Sequence, residues 1–325
     1  MTLGLSETAL RAEDAEAVAA MLNEAYEELR RLPRLDIYLR AAPPLATAEA
    51  LRQAMEAGAL SPEASRVLWK GARPVATVGV GIECGASAKL QWLAVAPDHR
   101  RRGLARHLLN RVIAAAKSAG CATVAIGPVD SRWQAAVRFL ENHGFAWTDP
   151  DHCNITMQMD IATWQPTDPV LPPGFTIRHM REEDEEGWTL VKRRAFGDDT
   201  PMGWWRQVWG SQPDHDPDGW KVCEYGGRIV GIAAAVVKNL PEGGRGCCIE
   251  WVGVLPEFQG MGLGRALMTA CLNHAARFRP NPMVVVTQRF RTAAVALYES
   301  LGFRIANEYR RYVLELGGSA DPIQR

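Results

Sequence analysis

The chain contains a copy of itself. Trp92-Leu-Ala-Val-Ala-Pro-Asp-His-Arg-Arg-Arg-Gly-Leu-Ala-Arg106 returns as Trp251-Val-Gly-Val-Leu-Pro-Glu-Phe-Gln-Gly-Met-Gly-Leu-Gly-Arg265, a displacement of 159 residues (251 − 92). Downstream, Ala136–Phe145 returns as Ala294–Phe303, displaced by 158, and upstream Gly71-Ala-Arg-Pro-Val-Ala returns as Gly226-Gly-Arg-Ile-Val-Gly, displaced by 155. A repeat this long within 325 residues specifies two copies of one domain-sized unit rather than a single core or an array of short repeats. Between the copies, Trp164-Gln-Pro-Thr-Asp-Pro-Val-Leu-Pro-Pro-Gly174 carries four prolines and reads as a stiff linker. The expected division is a first copy over 1–160, a linker over 161–174, a second copy over 175–318 and a tail over 319–325.

Each copy follows one order. Amphipathic helices with acidic starts (Ala15 to Arg31; Glu183 to Phe196) precede a glycine-turned hairpin (Arg66 to Ile82; Trp220 to Val237). A strand ending in Leu93-Ala-Val95 or Val252-Gly-Val254 then runs through a basic or glycine-rich loop into a helix. A buried strand, a short helix and a last strand close the unit. The fold class expected is α/β: two tandem domains, each a mixed central sheet flanked by helices.

Composition removes several function classes. The 37 Lys and Arg balance 37 Asp and Glu, so no general field draws the chain to nucleic acid or to an anionic membrane. The longest strongly apolar run, Ile229 to Val237, is about half of a bilayer span, and the first residues show no basic region followed by an apolar stretch. The cysteines (Cys84, Cys121, Cys153, Cys223, Cys247, Cys248, Cys271) are scattered and odd in number, so a cytoplasmic chain with free thiols is expected, with no disulfide framework and no metal. Nothing in the pattern specifies an oligomeric state.

The chemistry concentrates at Gln259-Gly-Met-Gly-Leu-Gly264. Glycines let backbone N–H groups turn inward, and the following helix brings its positive end to the same place, which favours a phosphate or pyrophosphate. A Walker A loop needs Gly-Lys-Ser/Thr, but Gly264 is followed by Arg265-Ala266; a dinucleotide fingerprint needs glycine at 267, which is leucine.

The Gln/Arg-x-x-Gly-x-Gly/Ala pattern after an apolar-x-Val-x-Pro strand end resembles the acetyl-CoA loop of the N-acetyltransferases of the GNAT superfamily. Gln259, Gly262 and Gly264 match it in the second copy, and Arg100, Gly103 and Ala105 in the first. Leu297-Tyr-Glu-Ser-Leu-Gly-Phe303 stands at the expected distance downstream, so the resemblance covers nearly the whole chain. Among tandem members it is most similar to mycothiol synthase-like proteins, through Asp216-Pro-Asp-Gly219, Val252-Gly-Val254 and Gly262-Leu-Gly264. It departs from them at Cys248, where an acidic residue is expected, and at Arg291, where an asparagine commonly precedes the last helix.

The resemblance implies acetyl-CoA as cosubstrate. Its pyrophosphate would lie on Gly260, Met261, Gly262, Leu263 and Gly264, flanked by Gln259 and Arg265, with pantetheine along Val252, Gly253 and Val254. The Val254 N–H would polarise the thioester carbonyl. Tyr298 matches the family's proton donor to the leaving thiolate. Glu250 stands on the strand where many members carry a base, roughly 13 Å from Val254 along an extended strand, so a water relay suits it better than direct contact; structural pairing with an arginine is the other reading. Cys247 and Cys248 are expected to pack along the strand. In the first copy the corresponding positions are Gln91 and Leu140, which exchange no proton. That copy is therefore expected to be degenerate, with Val95, Arg100, Arg101, Arg102, Gly103, Leu104 and Ala105 as a second cofactor loop or a solvated helix entrance.

Trp204 and Trp205, with Asp198, Asp199, Asp214, Asp216 and Asp218 nearby, are expected to contact the acceptor or to form a packed face. The function implied is acetyl transfer from acetyl-CoA to a primary amine of a small molecule by direct attack in a ternary complex, catalysed by the C-terminal copy. Protein or peptide N-acetylation, and a non-enzymatic acyl-CoA-binding regulatory protein, stay open.

Overall fold

The computed structural model describes residues 4–33, 35, 37, 46–83, 86–212, 215–241 and 243–317; Cys84, Asp214 and the tail 319–325 lie outside them. In chain order the elements are β1 (Ser6–Ala9), α1 (Ala15–Arg30), α2 (Ala48–Glu56), β2 (Arg66–Lys70), β3 (Arg73–Glu83), β4 (Ser87–Val95), α3 (Leu104–Ser118), β5 (Thr123–Asp130), α4 (Gln134–Asn142), β6 (Ala146–Thr148) and β7 (Asn154–Met159). The second series is β8 (Phe175–His179), α5 (Glu185–Phe196), β9 (Trp220–Tyr225), β10 (Arg228–Asn239), β11 (Arg245–Val254), α6 (Leu263–Ala276), β12 (Met283–Gln288), α7 (Thr292–Ser300) and β13 (Arg304–Glu315). The mixed α/β class expected for both copies is what the chain adopts.

Two compact units form, and they do not follow a cut at residue 160. Unit 1 comprises 1–33, 41–153 and 308–325; unit 2 comprises 34–40 and 154–307. The sheet of unit 1 runs β1-β2-β3-β4-β5-β13, and that of unit 2 runs β8-β9-β10-β11-β12-β7. In each, one parallel pair (β4 with β5, β11 with β12) is followed by an antiparallel last strand donated by the other copy. The last strands of the two repeats have changed places. Tyr312 of β13 is fully buried in the core of unit 1 beside Leu140 and Phe145, and its hydroxyl donates to Glu141 Oε1 at 3.2 Å.

Helices cover both faces of the unit 1 sheet. Alternation along β2 sends Val67 toward α1 and Leu68 toward α3. On α1, Val18, Leu22, Ala25 and Leu29 recur at helical spacing and are buried together. In unit 2, Ile229–Val236 of β10 is buried throughout, as a central strand covered on both faces must be; the apolar run is core. Among the described residues no helix is long and apolar enough to cross a membrane. The proline-rich stretch begins docked on α6, where the Trp164 indole donates to Asn273 Oδ1 at 3.0 Å and the Asn273 amide donates to the Thr167 carbonyl at 2.8 Å.

The entry to α5 is held by charge. Arg178 donates to both oxygens of Asp184 at 2.5 and 2.8 Å, and the Arg181 N–H donates to Asp184 at 2.8 Å. Asp184 is buried, and the Arg178 guanidinium holds its carboxyl below the ordinary range. The helix ends at Gly197, whose φ of 70° suits a glycine stop.

Two outcomes follow from this architecture. A protease site introduced at the exposed Val170 and cleaved should leave the two fragments co-eluting in size-exclusion chromatography under native conditions, because each fragment supplies a strand to the unit built mainly from the other. Asp184→Asn should lower stability by about 2 kcal/mol at pH 7, measured by denaturant unfolding followed through tryptophan fluorescence. Because the folded-state pKa is depressed, the wild-type contribution is present above about pH 4 and lost as pH falls below it, so the gap between wild type and variant should narrow at pH 3.

Candidate active site

A bulge in β11 creates the site in unit 2. Glu250 pairs with Ala234 and Gly253 with Ile232, so Trp251 and Val252 together face the single residue Ala233. Trp251 takes up the extra length with φ 47°, a left-handed conformation that a tryptophan adopts only when its surroundings enforce it. On the other side, the parallel ladder to β12 stops at Ile249–Val285. Beyond that pair the strands part, and the segment carrying Val252, Gly253 and Val254 borders the opening. Gly253 is tightly covered: a Cβ would lie 3.0 Å from both Ala195 and Phe196 at the end of α5.

After Val254 a single 3-10 turn, Pro256–Phe258, leads to the glycine loop. The Gln259 amide donates to the Val254 carbonyl at 3.1 Å, tying loop to strand. Gly260 and Gly262 have φ 77° and 83°, and a Cβ on either would meet nothing within 4 Å. Both glycines are required by conformation, and the space above them is open. No side chain caps the N-terminus of α6, so its first N–H groups, together with the helix dipole, are available to an anion. Met261 is exposed and Leu263 buried, while Arg265 reaches out of the loop to donate to Ser300 Oγ at 2.7 Å. This cradle fits a pyrophosphate.

Tyr298 lies in the last turn of α7 and is buried. Burial drives its phenol well above the ordinary value, reinforced by Cys248 and Glu250 and opposed by Arg291, so it is protonated at neutral pH and equipped to donate. Glu250, half-buried on β11, acts electrostatically on Tyr298, which brings the expected acid and base into one neighbourhood. The neighbouring thiols are unsuited to nucleophilic work: Cys247 is fully buried and pushed well above its ordinary value by desolvation, and the Cys248 thiol donates to the Ile249 carbonyl at 3.6 Å. The six cysteines described, which exclude Cys84, are free thiols.

The tryptophans form a cluster. Trp205 is buried against Trp220 (5.5 Å between centroids) and His215 (5.4 Å), a packing position rather than an open wall. Trp204 is half-buried, stacked on Trp188 at 6.1 Å and edge-on to Trp251 at 5.8 Å, with Lys192 Nζ 5.1 Å from its ring centre. Lys192 also donates to Asp198 and Thr200. Asp216 pairs with His274 at 2.9 Å, and Asp218 offers its backbone carbonyl to Lys221. The Asp198 and Asp216 carboxylates therefore serve the structure. Sequence reasoning had not singled out Trp251, Phe196 or Lys192; the recurrence of tryptophan at 92 and 251 was the available signal for the first.

Unit 1 repeats the geometry without the acid and base. Its bulge is at Trp92 (φ 49°), and its parallel ladder stops at Lys89–Ala125. Arg101 adopts φ 62° where the second copy has Gly260, and Gly103 caps α3 as Gly262 caps α6. Arg100 donates to the Val95 carbonyl at 3.4 Å, as Gln259 does to Val254, but is also held by Glu28 at 2.8 Å and the Ala25 carbonyl at 2.7 Å. Arg101 and Arg102 are exposed, Leu104 is buried and Ala105 half-buried. A cleft of about 1400 Å³ opens beside this loop, lined by Tyr26, Gln91, Val95, Gly103 and Tyr309 among others. Leu140, at the place of Tyr298, is core.

The sequence profile of the acetyltransferase (GNAT) family matches residues 22–145 and again 175–303. The chain belongs to the acetyltransferase (GNAT) family. It is a tandem GNAT enzyme of the N-acetyltransferase class, similar to the mycothiol acetyltransferase of Thermobispora bispora (34% identity over 222 residues, 65% of this chain and 71% of the relative). It is also similar to that of Geodermatophilus obscurus (31% over 223 residues, 65% and 69%). In fold, this GNAT chain matches a tandem GNAT protein from the clavulanic acid biosynthesis pathway (TM-score 0.55, 20% identity, 97% of this chain and 99% of the other). A GCN5-related N-acetyltransferase from Sphaerobacter thermophilus is similar too (TM-score 0.53, 20%, 99% and 98%).

Gly262→Asp tests the cradle: a side chain at φ 83° is strained and its charge opposes an anion, so calorimetric affinity for CoA at this loop should fall at least about tenfold. A site that keeps its wild-type affinity in the variant would be assigned to the loop of unit 1.

Proposed function

We propose that the chain acetylates a primary amine of a small molecule, using acetyl-CoA, with direct transfer in a ternary complex and all the chemistry in unit 2. One observation carries the reading. The bulge and loop occur in both copies, yet the two positions that carry Glu250 and Tyr298 in unit 2 carry Gln91 and Leu140 in unit 1, neither of which exchanges a proton. The two relatives named as mycothiol acetyltransferases support a small-molecule acceptor.

In this reading residues 260–264 hold the pyrophosphate through backbone N–H groups, and the edge of Val252–Val254 pairs with the pantetheine amides. Acetyl-CoA supplies an acetyl group activated as a thioester. The Val254 N–H then donates to the carbonyl oxygen as negative charge grows there. An amide C–N bond forms while the C–S bond breaks; one proton leaves the amine and one is taken up by the departing thiolate. Glu250 receives the first through water, and the Tyr298 hydroxyl supplies the second. Unit 1 keeps a cofactor loop around Val95 and Arg100–Ala105 without catalytic function.

Thiol release measured over an amine panel should show Tyr298→Phe and Glu250→Gln each reduced by about 100-fold in kcat, with little change in KM for acetyl-CoA. Undiminished turnover in both variants would sink the assignment, and tight CoA binding without transfer to any amine or peptide would favour a binding protein instead.

A further inference from the structure

The residue before α7 is out of keeping with its surroundings. Arg291 is half-buried, and its guanidinium carbon lies 5.4 Å from the ring centre of Phe196 and 5.1 Å from that of Phe290. Among the described residues its guanidinium donates one hydrogen bond, to Gln288 Oε1 at 3.3 Å. Among the described residues no carboxylate stands within ion-pair distance of it. A cation partly removed from water is ordinarily paired. Aromatic faces attract it but do not neutralise its charge, and its remaining in-plane N–H groups are left to solvent or to a ligand.

Its location matters as much as its isolation. Arg291 is the N-cap of α7 and Tyr298 lies in the last turn of the same helix; the charge of Arg291 is felt at the Tyr298 phenol. Phe196, on which the guanidinium rests, is one of the two side chains, with Ala195, that would crowd a Cβ at Gly253 of β11. Arg291 therefore spans from the helix of the proposed proton donor to the strand that borders the opening.

The duplication supplies a control. Displaced by 158, the same position in unit 1 is Trp133, which caps α4 with φ −79° and ψ 70°, against −78° and 60° for Arg291 before α7. Trp133 also reaches the first helix of its copy, edge-on to Tyr26 at 5.4 Å. An aromatic residue thus suffices to bridge α4 to α1 in this scaffold. The charge in unit 2 exceeds what packing requires.

We propose that Arg291 is a carboxylate-binding residue of the transfer site, giving the enzyme a preference for a reactant that carries a carboxylate next to the reacting group. The planar fork of guanidinium N–H donors matches a carboxylate edge-on while its faces rest on Phe196 and Phe290. The carboxylate belongs either to the acceptor amine, as in an amino acid, or to the acyl group, as in a dicarboxylic acyl-CoA. The inference rests on the acetyltransferase reading of unit 2 but is tested by differences between paired ligands.

The experiment measures binding and turnover on the full chain with two matched sets. The donors are succinyl-CoA, butyryl-CoA and acetyl-CoA; the acceptors, in the presence of CoA for binding and of acetyl-CoA for turnover, are α-amino acids and their amides. Wild type should prefer the carboxylated member of one set by about tenfold or more. Arg291→Gln should abolish that preference while leaving affinity for acetyl-CoA within about twofold, and Arg291→Lys should restore part of it. Arg291→Trp, with the residue unit 1 carries, should fold and behave like Arg291→Gln. Equal binding of both members in both sets overturns the proposal, as does a loss confined to acetyl-CoA affinity, which would assign Arg291 to the cofactor phosphates. Failure of wild type to bind or consume any acyl-CoA would instead overturn the reading of unit 2 itself.

Discussion

The parting of β11 from β12 is the constraint on which the site depends. A sheet that stayed paired would consume the backbone groups of Val252–Val254 in its own ladder and leave no edge for a ligand. Two features prevent this: the extra residue at Trp251, which turns the strand, and the end of the parallel ladder at Ile249–Val285. The cost of a tryptophan in a left-handed conformation is met by the aromatic cluster around it, with Trp209 at 5.0 Å and Trp220 at 5.4 Å. Core packing on one side of the strand thereby maintains an opening on the other.

The same constraint explains how two copies of one scaffold differ in chemical capacity. Bulge, ladder end and glycine stop are backbone features, and both copies keep them. Function is then decided by side chains placed on an unchanged frame. Leu140 in the first copy fills core volume; Tyr298 in the second occupies the corresponding turn with a polar tip. Gln91 and Glu250 occupy matching strand positions and differ in the ability to take a proton. Arg101 tolerates a conformation that glycine adopts freely at 260, which shows how strongly the surrounding fold dictates that turn.

Much of this was legible in the sequence because glycine and proline announce backbone geometry. The turn at Gly262, the 3-10 turn at Pro256 and the repeat itself fix the order strand, loop, helix in each copy. The exchanged strands were not legible. β7 and β13 stand at the same place in the repeat, so either can complete either sheet, and local pattern does not encode which partner a strand finds. Side-chain roles near the acceptor region were also hidden. Trp204 and Trp205 are adjacent in sequence, yet one is buried and the other stays at the margin, and of the acids expected to greet an amine Asp198 is held by Lys192 and Asp216 by His274. The Asp216–His274 pairing joins residues 58 apart, which composition cannot carry.

The exchange of last strands has a consequence for the order of events during synthesis. Asp130 of β5 pairs with Tyr309 of β13, so unit 1 lacks its closing strand, and Tyr312 is missing from its core, until the C-terminal segment has left the ribosome. A tandem protein with self-contained halves can complete the first before the second is made. Here the vacant edge beside β5 must wait through the making of the whole second copy, during which β7, already synthesised, has the pattern to occupy it. Correct assembly of this chain thus requires the edge of β5 to be kept for a strand made last.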